Sequence, residues 1–270
     1  MSIPTTDLGN GLSIPNVGFG LWKNKDEAEC IASVEMALKA GYTHFDTAQA
    51  YDNEQFLAAG LKKAGVDRKD VFITTKIKVE NFLRVEKSFA KSLENLDTDY
   101  VDLLLLHFPV TVLRHNAWKK VEAIHKAGQA KSIGVSNYMI RHLEHLLKDC
   151  EIKPAVNQVE LHVFLQQPEL VKYCQDNGIV VEAYSPLAHG KGLDDPVLAE
   201  IGKKHGKTST QIMLRWCIEV GTIPLPKSTH EDRIQQNIDI FDFELDEEDM
   251  AKIKGIERNL RTCWDPTHII

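Results

Sequence analysis

The sequence predicts an α/β fold, a (β/α)8 TIM barrel with a short β-hairpin at its N-terminus. Short apolar runs alternate with helical patterns along the chain, which is typical of a parallel sheet. Eight strand–helix units can be counted, and eight match a closed barrel better than an open sheet. The runs are almost continuously apolar, as expected for strands covered on both faces. Because no low-complexity stretch or flexible linker interrupts the 270 residues, we expect one barrel domain over residues 1–270.

Local signals define each element. The turn Gly9-Asn10-Gly11 predicts a hairpin over residues 6–14. Asn24 is the predicted N-cap of the first helix, which Gly41 ends. The predicted strands cover residues 42–46, 71–75, 101–107, 132–136, 155–159, 179–184, 222–226 and 238–241. The predicted helices that follow them cover residues 53–64, 83–95, 116–127, 139–148, 167–176, 195–204, 208–219, 230–236 and 246–256.

Composition and charge argue against several classes of function. The net charge is −7 and no block of Lys or Arg occurs, so we expect neither nucleic acid nor a membrane as a partner. The N-terminus lacks an export signal, and no apolar run reaches the roughly 20 residues of a membrane span. Five scattered cysteines without a C-x-x-C pair are typical of reduced thiols. We expect a cytoplasmic protein that acts as a monomer.

Polar residues stand where three successive predicted strands end. Asp46 ends the first, with Tyr51 five residues later, and Lys76 follows the second. His107 follows the third. Because the carboxyl ends of the strands form the active site of a parallel barrel, we expect these side chains to converge. A free phenol has a pKa of about 10, and a nearby ammonium lowers it. The pattern predicts Tyr51 as a proton donor to a carbonyl, activated by Lys76, with Asp46 as counter-ion.

Each of these residues also has an ordinary structural explanation. A tyrosine at a barrel rim usually packs on a loop, and a lysine at a strand end is usually solvated. Asp46 could equally cap a helix or pair with a cation, and His107 could be a satisfied core histidine. A purely structural interpretation requires all of these explanations to be true at once, at three adjacent strand ends. We therefore favour catalysis, with His107 as a hydrogen-bond donor to the bound carbonyl oxygen.

Later strand ends carry side chains that suit a bound ligand. Ser136, Asn137 and Gln158 offer hydroxyl and amide hydrogen bonds of the kind that hold a carboxamide. Ordinary turn chemistry explains Asn and Gln at such positions equally well. Tyr184 offers a flat ring for stacking.

A basic segment follows the seventh predicted strand. Lys227 and Ser228 end that strand, and Arg233 lies in the first turn of the next helix. Basic side chains beside a helix N-terminus suit a phosphate group, the alternative being a pair of exposed surface cations. No G-x-G-x-x-G motif follows a strand, so a Rossmann site is unsupported. The histidines lack metal-ligand spacing, and no metal is expected.

The chain resembles the aldo-keto reductases over nearly its whole length. The motifs that carry the resemblance are Phe45-Asp46-Thr47-Ala48 with Tyr51 and Asn53-Glu54, Ile73-Thr74-Thr75-Lys76, Leu106-His107, Ile133-Gly134-Val135-Ser136-Asn137, Asn157-Gln158-Val159-Glu160, Ala183-Tyr184-Ser185-Pro186-Leu187, and Ile223 to Ser228 with Arg233 and Asn237. Its short loops look more like those of the bacterial diketo-acid and methylglyoxal-type reductases than those of the mammalian aldose or steroid enzymes of that family.

The resemblance implies NADP bound in an extended form on a barrel without a Rossmann fold. The catalytic tetrad that it implies consists of Asp46, Tyr51, Lys76 and His107. The cofactor-binding residues that it implies are Leu21, Ser136, Asn137, Gln158, Tyr184, Ser185, Leu187, Lys227, Ser228, Thr229, Arg233, Gln236 and Asn237. In this pattern Ser185 and Leu187 belong to a strap over the pyrophosphate, and Lys227, Ser228 and Arg233 bind the adenosine 2′-phosphate. Gln236 and Asn237 lie near the adenine.

Several positions depart from the common family pattern. Ile77-Lys78 stands where many members carry Leu-Trp, and Phe108-Pro109 where many carry Trp-Pro. The strap reads Ala188-His189-Gly190-Lys191 in place of a glycine-led version. These differences bear on substrate class and cofactor affinity. The residues expected to line the substrate pocket are Trp22, Lys78, Phe108 and Trp264.

We therefore predict an enzyme that reduces aldehydes or ketones with NADPH, among them diketo acids or 2-oxoaldehydes. Its expected partner is a small-molecule carbonyl substrate. One alternative is a nucleotide-sensing regulatory subunit of the same fold, like the cofactor-binding subunits of potassium channels, and the complete tetrad argues against it. Another is a Schiff-base aldolase using Lys76, which the pairing with Asp46 disfavours.

Overall fold

Eight parallel strands surround the centre of the computed structural model, which describes residues 3–270. The barrel strands are β3 (Phe19–Gly20), β4 (His44–Asp46), β5 (Phe72–Ile77), β6 (Val101–Leu106), β7 (Ala130–Ser136), β8 (Val156–Glu160), β9 (Val180–Tyr184) and β10 (Thr222–Leu225), after a hairpin of β1 (Thr5–Asp7) and β2 (Ser13–Pro15). The helices are α1 (Glu27–Ala40), α2 (Glu54–Ala64), α3 (Val85–Asn95), α4 (Arg114–Lys126), α5 (Ile140–Asp149), α6 (Pro168–Asp176), α7 (Pro196–His205), α8 (Ser209–Glu219), α9 (Glu231–Ile238) and α10 (Glu247–Lys254). The predicted barrel and hairpin are confirmed.

Two glycines join the first barrel strand to the last. The strands follow one another around the sheet in chain order, from β3 to β10. Gly18 N–H donates to the Pro224 carbonyl oxygen at 3.0 Å, and Gly20 N–H donates to that of Pro226 at 2.9 Å. A Cβ on Gly20 would lie 3.0 Å from the Leu225 carbonyl oxygen, so this close approach favours a residue without a side chain.

The predicted strand over residues 238–241 is wrong, and β3 takes its place as the eighth strand. Ile238 is the last residue of α9, and the residues after it belong to no strand. The alternating apolar pattern arises because Ile240 packs into the core from a loop, where its carbonyl oxygen accepts a hydrogen bond from Arg215. At two residues, β3 is too short to produce a periodic signal.

Most other boundaries lie within a few residues of their predicted positions. The N-cap of α1 is Asp26 and not Asn24, because the Asp26 carboxylate accepts from Glu29 N–H at 2.9 Å. Asn24 is buried, and its amide donates to Ser33 Oγ at 2.8 Å. Gly41 ends α1 with φ at 103°, as predicted.

Successive side chains along each strand point alternately into the barrel interior and towards the surrounding helices. In β6, Leu104 packs in the core that includes the helices, whereas Leu103 and Leu105 pack in an inner cluster. Leu8 and Ile14 of the hairpin belong to that inner cluster, so the hairpin covers the amino-terminal end of the barrel. The carboxyl end is the one left for a ligand. Within residues 3–270 we find no helix with both the length and the apolar character required to cross a bilayer.

Candidate active site

Asp46 and Lys76 form a buried ion pair between β4 and β5. Lys76 Nζ donates to Asp46 Oδ1 at 2.6 Å and to the Thr47 carbonyl oxygen at 2.9 Å. Both side chains are at most 5% exposed. Lys76 lies within β5 rather than after it, so strand alternation turns its side chain into the barrel, as it does for Thr74. An unpaired ammonium there would cost several kcal/mol, and the predicted pairing with Asp46 is present.

Tyr51 ends a short 3-10 turn just beyond β4, and its hydroxyl oxygen lies 3.3 Å from Lys76 Nζ. Burial raises the pKa of Tyr51 well above its ordinary value, and the charge of Asp46 raises it further. This direction is opposite to the one expected from Lys76 alone. The main reason is that burial disfavours the charged phenolate; in addition, Asp46 sits closer to the ammonium than Tyr51 does and compensates its charge. Tyr51 is therefore a neutral phenol near neutral pH, as a proton donor must be.

His107 stands directly after β6, beside Tyr51. The two ring centroids are 5.8 Å apart in an edge-to-face arrangement. Burial lowers the pKa of His107 to about 3, with Lys76 contributing, so its imidazole is neutral near pH 7. Within residues 3–270 only its backbone is hydrogen-bonded, to Ile77 and Asn137. The ring nitrogens are thus left for a ligand, and a neutral imidazole offers one N–H donor.

Ser136, Asn137 and Tyr184 hold one another where β7 and β9 end. Ser136 Oγ donates to the Gln158 carbonyl oxygen at 2.9 Å, and Asn137 Nδ2 donates to Ser136 Oγ at 3.0 Å. Tyr184 OH donates to Asn137 Oδ1 at 2.7 Å. Asn137 has φ at 66°, a left-handed conformation that Asn tolerates better than most residues. These predicted cofactor residues are brought together in one network.

Gln158 connects that network to the ion pair. Its Nε2 donates to Asp46 Oδ2 at 2.8 Å and to Glu182 Oε2 at 2.9 Å. Both amide hydrogens are used in this way, whereas no donor among residues 3–270 reaches the amide oxygen. The amide oxygen of Gln158 is therefore left to accept from a bound group.

The segment after β10 exposes two cations beside the N-terminus of α9. Lys227 and Arg233 are exposed, and neither pairs with a carboxylate in the described chain. Glu231, in the same turn as Arg233, lies 3.5 Å from Lys39 instead. Ser228 is buried, and its Oγ accepts from the N–H of His230 at 3.1 Å. The remaining predicted residues of this segment are Thr229, which is half-buried, Gln236, which is exposed, and Asn237, which is buried.

Leu21 and Trp22 continue the chain from β3 to the rim of the barrel. Leu21 is buried, and its N–H donates to the Asp46 carbonyl oxygen at 3.0 Å. Trp22 is 39% exposed and packs edge-on against His189, with 5.1 Å between the ring centroids. These contacts place Leu21 beside the ion pair and Trp22 beside the strap segment.

The other predicted pocket residues lie on separate loops. Phe108 follows His107 and meets Trp264 edge-on, with 6.2 Å between the ring centroids. Trp264 is 76% exposed. Lys78 is half-buried just beyond β5, and its backbone N–H donates to Gln49 Oε1 at 3.2 Å. The rim therefore has an aromatic wall, and Lys78 adds a cation at the end of β5.

The predicted strap residues Ser185 and Leu187 begin the segment after β9. Ser185 has φ at 49°, and its Oγ lies 3.1 Å from His189 Nε2 and 3.4 Å from Cys263 Sγ. Leu187 is half-buried and packs against the core. The strap thus touches the C-terminal segment through the thiol of Cys263, a residue with no predicted role in the site.

Glu160 at the end of β8 holds that C-terminal segment. Its carboxylate accepts from the N–H and hydroxyl of Thr262, at 2.7 and 2.6 Å, and from Cys263 N–H at 3.1 Å. Burial would raise the pKa of Glu160, but hydrogen bonds from His162, Thr262 and Cys263 outweigh it, and the pKa lies below its ordinary value. Glu160 therefore fixes the chain that carries Trp264 to the pocket rim.

His44 and Glu182 lie beneath the ion pair, are wholly buried and had no predicted role. The available signal was a charged residue in the apolar run 179–184, because an ionisable group buried in a strand needs a partner. Its partner, Gln158, lies on the neighbouring strand, and strand spacing alone does not identify it.

Known proteins are similar to this chain in sequence and in structure. The model of the aldo/keto reductase family matches residues 16–258. Glyoxal reductase of Bacillus subtilis (strain 168) is 44% identical over 268 residues, covering 98% of this chain and 97% of that protein. Methylglyoxal reductase DkgA of Escherichia coli (strain K12) is 39% identical over 271 residues, covering 98% of each. An aldo-keto reductase of Bombyx mori solved in complex with NADP gives a TM-score of 0.91 at 34% identity, covering 97% of this chain and 95% of that one.

These similarities extend over the whole barrel. The matched residues include every strand from β3 to β10 and the polar residues at their carboxyl ends. The chain therefore belongs to the aldo-keto reductase family and is an NADP-dependent oxidoreductase.

Proposed function

We propose that this protein reduces aldehydes and ketones to alcohols with NADPH, and that Tyr51 donates the proton. The observation that carries the proposal is the buried contact of the Tyr51 hydroxyl with Lys76, whose ammonium is itself held by Asp46. A neutral phenol, a neutral imidazole and a fixed ammonium meet at one end of the barrel. That set can protonate a carbonyl oxygen and stabilise the charge that develops on it.

Each member of the set has its own part in the reaction. His107 donates a hydrogen bond to the carbonyl oxygen and orients it beside Tyr51. Tyr51 then gives its proton to that oxygen, which leaves a phenolate 3.3 Å from the Lys76 ammonium. Asp46 pairs with the Lys76 ammonium and holds it in place. NADPH held beside these residues would supply the hydride for the carbonyl carbon.

The residues that would hold the cofactor fit its chemistry. Among residues 3–270 no donor reaches the Gln158 amide oxygen, which suits the amide hydrogens of a carboxamide. Ser136 and Asn137 add further polar atoms, and Tyr184 adds a ring for stacking. The two cations near the N-terminus of α9, which have no carboxylate partner in the described part of the chain, suit a phosphate. Ser185 and Leu187 stand between these two groups of residues in the chain, as a strap would.

The preference for NADPH over NADH depends on Arg233 in this proposal. Arg233→Ala should raise KM for NADPH by about 10- to 100-fold, since a charge-assisted hydrogen bond contributes about 1.5–3 kcal/mol. KM for NADH should change by less than about twofold. Steady-state kinetics with both cofactors would measure this. Lys172→Ala, which removes a surface cation paired with Asp176, is the matched control and should leave both values unchanged. An unaltered preference in Arg233→Ala would rule out the phosphate assignment.

Small 2-oxoaldehydes and diketo acids are the substrates that we propose. Relatives at 44% and 39% identity are named glyoxal reductase and methylglyoxal reductase. The aromatic wall of Phe108 and Trp264 would bound one side of the pocket. Lys78, beside the end of β5, would attract a carboxylate or polarised carbonyl.

Removing the aromatic wall should weaken substrate binding selectively. Phe108→Ala combined with Trp264→Ala should raise KM for methylglyoxal by about 10-fold or more, because burial of each ring contributes about 1–3 kcal/mol. NADPH binding, followed by fluorescence, should stay within about twofold. Tyr100→Ala, at the opposite end of β6, is the control. A KM unchanged by loss of both rings would place the pocket elsewhere.

Turnover decides between an enzyme and a nucleotide sensor of the same fold. NADPH oxidation should be measured with glyoxal, methylglyoxal and simple aldehydes. Turnover is expected with at least the 2-oxoaldehydes, whereas NADPH binding without turnover on every carbonyl would favour the sensor. The monomeric state and the cytoplasmic location expected from the sequence stay predictions, which sedimentation and cell fractionation would test.

A further inference from the structure

A second polar layer lies inside the barrel beneath the ion pair. It consists of His44 on β4, Thr74 on β5 and Glu182 on β9, all wholly buried. His44 Nε2 lies 3.0 Å from Thr74 Oγ1 and 3.6 Å from Glu182 Oε1. Such groups are costly to bury, and the proposed reaction assigns them no part.

Glu182 shares one amide group with Asp46. Gln158 Nε2 donates to Asp46 Oδ2 at 2.8 Å and to Glu182 Oε2 at 2.9 Å. Since Asp46 accepts hydrogen bonds as the partner of Lys76, the Gln158 atom that faces it must be the nitrogen. The second amide hydrogen is then fixed on Glu182. Asp46 and Glu182 thus accept both amide hydrogens of Gln158, and the Gln158 oxygen is left to accept a hydrogen bond from a ligand.

The charges around Glu182 do not balance if it is ionised. The titratable groups that face it are Asp46 and His44 on β4, Lys76 on β5 and Tyr51 beyond β4. On β8, Glu160 is bound to the C-terminal segment, and β10 carries no titratable side chain. Lys76 is the one cation in this set, and Asp46 lies 2.6 Å from it.

His44 does not supply the positive charge that would balance an ionised Glu182. Burial and Lys76 lower the pKa of His44 to about 3, so it is neutral near pH 7. Burial raises the pKa of Glu182 to about 8, the charge of Asp46 adds to the rise, and the hydrogen bond from Gln158 and the charge of Lys76 oppose it. Glu182 Oε1 has no hydrogen-bond partner in the described chain, which also disfavours a charge on it.

We propose that Glu182 is a positioning residue for carbonyl reduction, a neutral carboxylic acid that orients the Gln158 amide and adds negative charge beneath Lys76 and Tyr51 only when it ionises. The inference rests on the proposed function of the site. Its ionisation would raise the pKa of Tyr51 further, because Glu182 is among the negative charges that act on that phenol. Tyr51 would then be a weaker acid. Reduction should accordingly slow in the alkaline range through Glu182, before Tyr51 itself ionises.

Glu182→Gln tests this through the pH dependence of kcat. Glutamine keeps the acceptor for Gln158 and stays neutral at every pH. In the unaltered protein we expect kcat to fall as pH rises through about 8. In Glu182→Gln that fall should move up by about one pH unit or more. If Tyr51 alone caused the fall, removing a negative charge would leave it in place or move it to lower pH. Glu169→Gln, on the surface of α6, should behave as the unaltered protein.

Infrared spectroscopy supplies a readout that needs neither substrate nor cofactor. The unaltered protein should show the C=O absorption of a buried carboxylic acid near pH 7, and the band should vanish as pH rises through about 8. Glu182→Gln should lack the band, and Glu182→Asp should shift it. Should the variants not fold, the titration of this band in the unaltered protein decides.

Thermal stability gives a second readout of the same charge. The pKa of Glu182 is raised in the folded state above its ordinary value of 4.5, so its contribution to stability is present below that value and lost as pH rises towards about 8. Glutamine has no such loss. The Tm of Glu182→Gln relative to the unaltered protein should therefore increase between about pH 5 and about pH 8.

The possible failures can be told apart. Intact turnover with no carboxylic-acid band, or a kcat profile that Glu182→Gln does not move upward, would overturn this inference and leave the proposed function standing. Absence of turnover in the unaltered protein on every carbonyl would overturn the proposed function, and the positioning role with it. The infrared band would then still report whether Glu182 is neutral.

Discussion

Tyr51→Phe is expected to lower kcat for carbonyl reduction by about two to four orders of magnitude, the usual contribution of a general acid. Phenylalanine keeps the ring that packs edge-on against His107 and removes only the hydroxyl that meets Lys76. The loss should therefore fall on the chemical step. NADPH affinity should change by less than about twofold, because no predicted cofactor residue bonds to the Tyr51 hydroxyl in the structure. Single-turnover kinetics and fluorescence titration measure the two quantities.

The matched control is Tyr173→Phe on α6, which removes a phenol far from the barrel mouth and should leave kcat unchanged. Substantial turnover in Tyr51→Phe, within about tenfold of the unaltered protein, would transfer the proton-donor role to another group such as His107. Loss of NADPH binding instead of kcat would show that Tyr51 serves the cofactor site.

Tyr51, Lys76 and His107 could be predicted because each stands next to a strong local pattern. An apolar strand followed by a polar residue is visible in the sequence, and the rule that barrel strands point their carboxyl ends to one side brings these residues together. The geometry that results was implied by topology and not by any single motif. Lys227 and Arg233 were predicted as phosphate ligands from similar local signals, Lys227 at the end of a strand and Arg233 in the first turn of the next helix.

Contacts between residues far apart in the chain determine the two features that could not be predicted from the sequence, strand β3 and the direction of the Tyr51 pKa shift. The two-residue β3 is a strand only because Gly18 and Gly20 bond to the last strand, and those partners lie about two hundred positions away. The pKa of Tyr51 also depends on long-range contacts. Lys76 alone predicts a lower pKa, whereas burial and Asp46 raise it. The direction of the Tyr51 pKa shift can be predicted only when the burial of Tyr51 and the counter-ion of Lys76 are both known.

Lys76→Met should lower both the stability and the activity of the protein. It leaves the Asp46 carboxylate buried, with the Gln158 amide as its remaining side-chain donor. Loss of one partner of a buried ion pair typically costs about 3–5 kcal/mol, and we expect the free energy of unfolding to fall by that amount. The phenolate left after proton transfer would also lose its ammonium, so kcat should fall by about two orders of magnitude or more. Urea denaturation and steady-state kinetics provide the measurements.

The double variant Asp46→Asn with Lys76→Met separates the two roles of the pair. In the double variant no charge of the pair remains buried. At least half of the stability lost in Lys76→Met should therefore return, as observed when buried ion pairs are replaced by neutral groups. Activity should not return, because the neutral pair cannot stabilise a phenolate on Tyr51. Recovery of both would mean that the pair only maintains the fold, and recovery of neither would mean that Lys76 has further contacts of its own. Lys172→Met, which breaks an exposed pair with Asp176 at 2.9 Å, should cost less than about 1 kcal/mol and fixes the scale of the comparison.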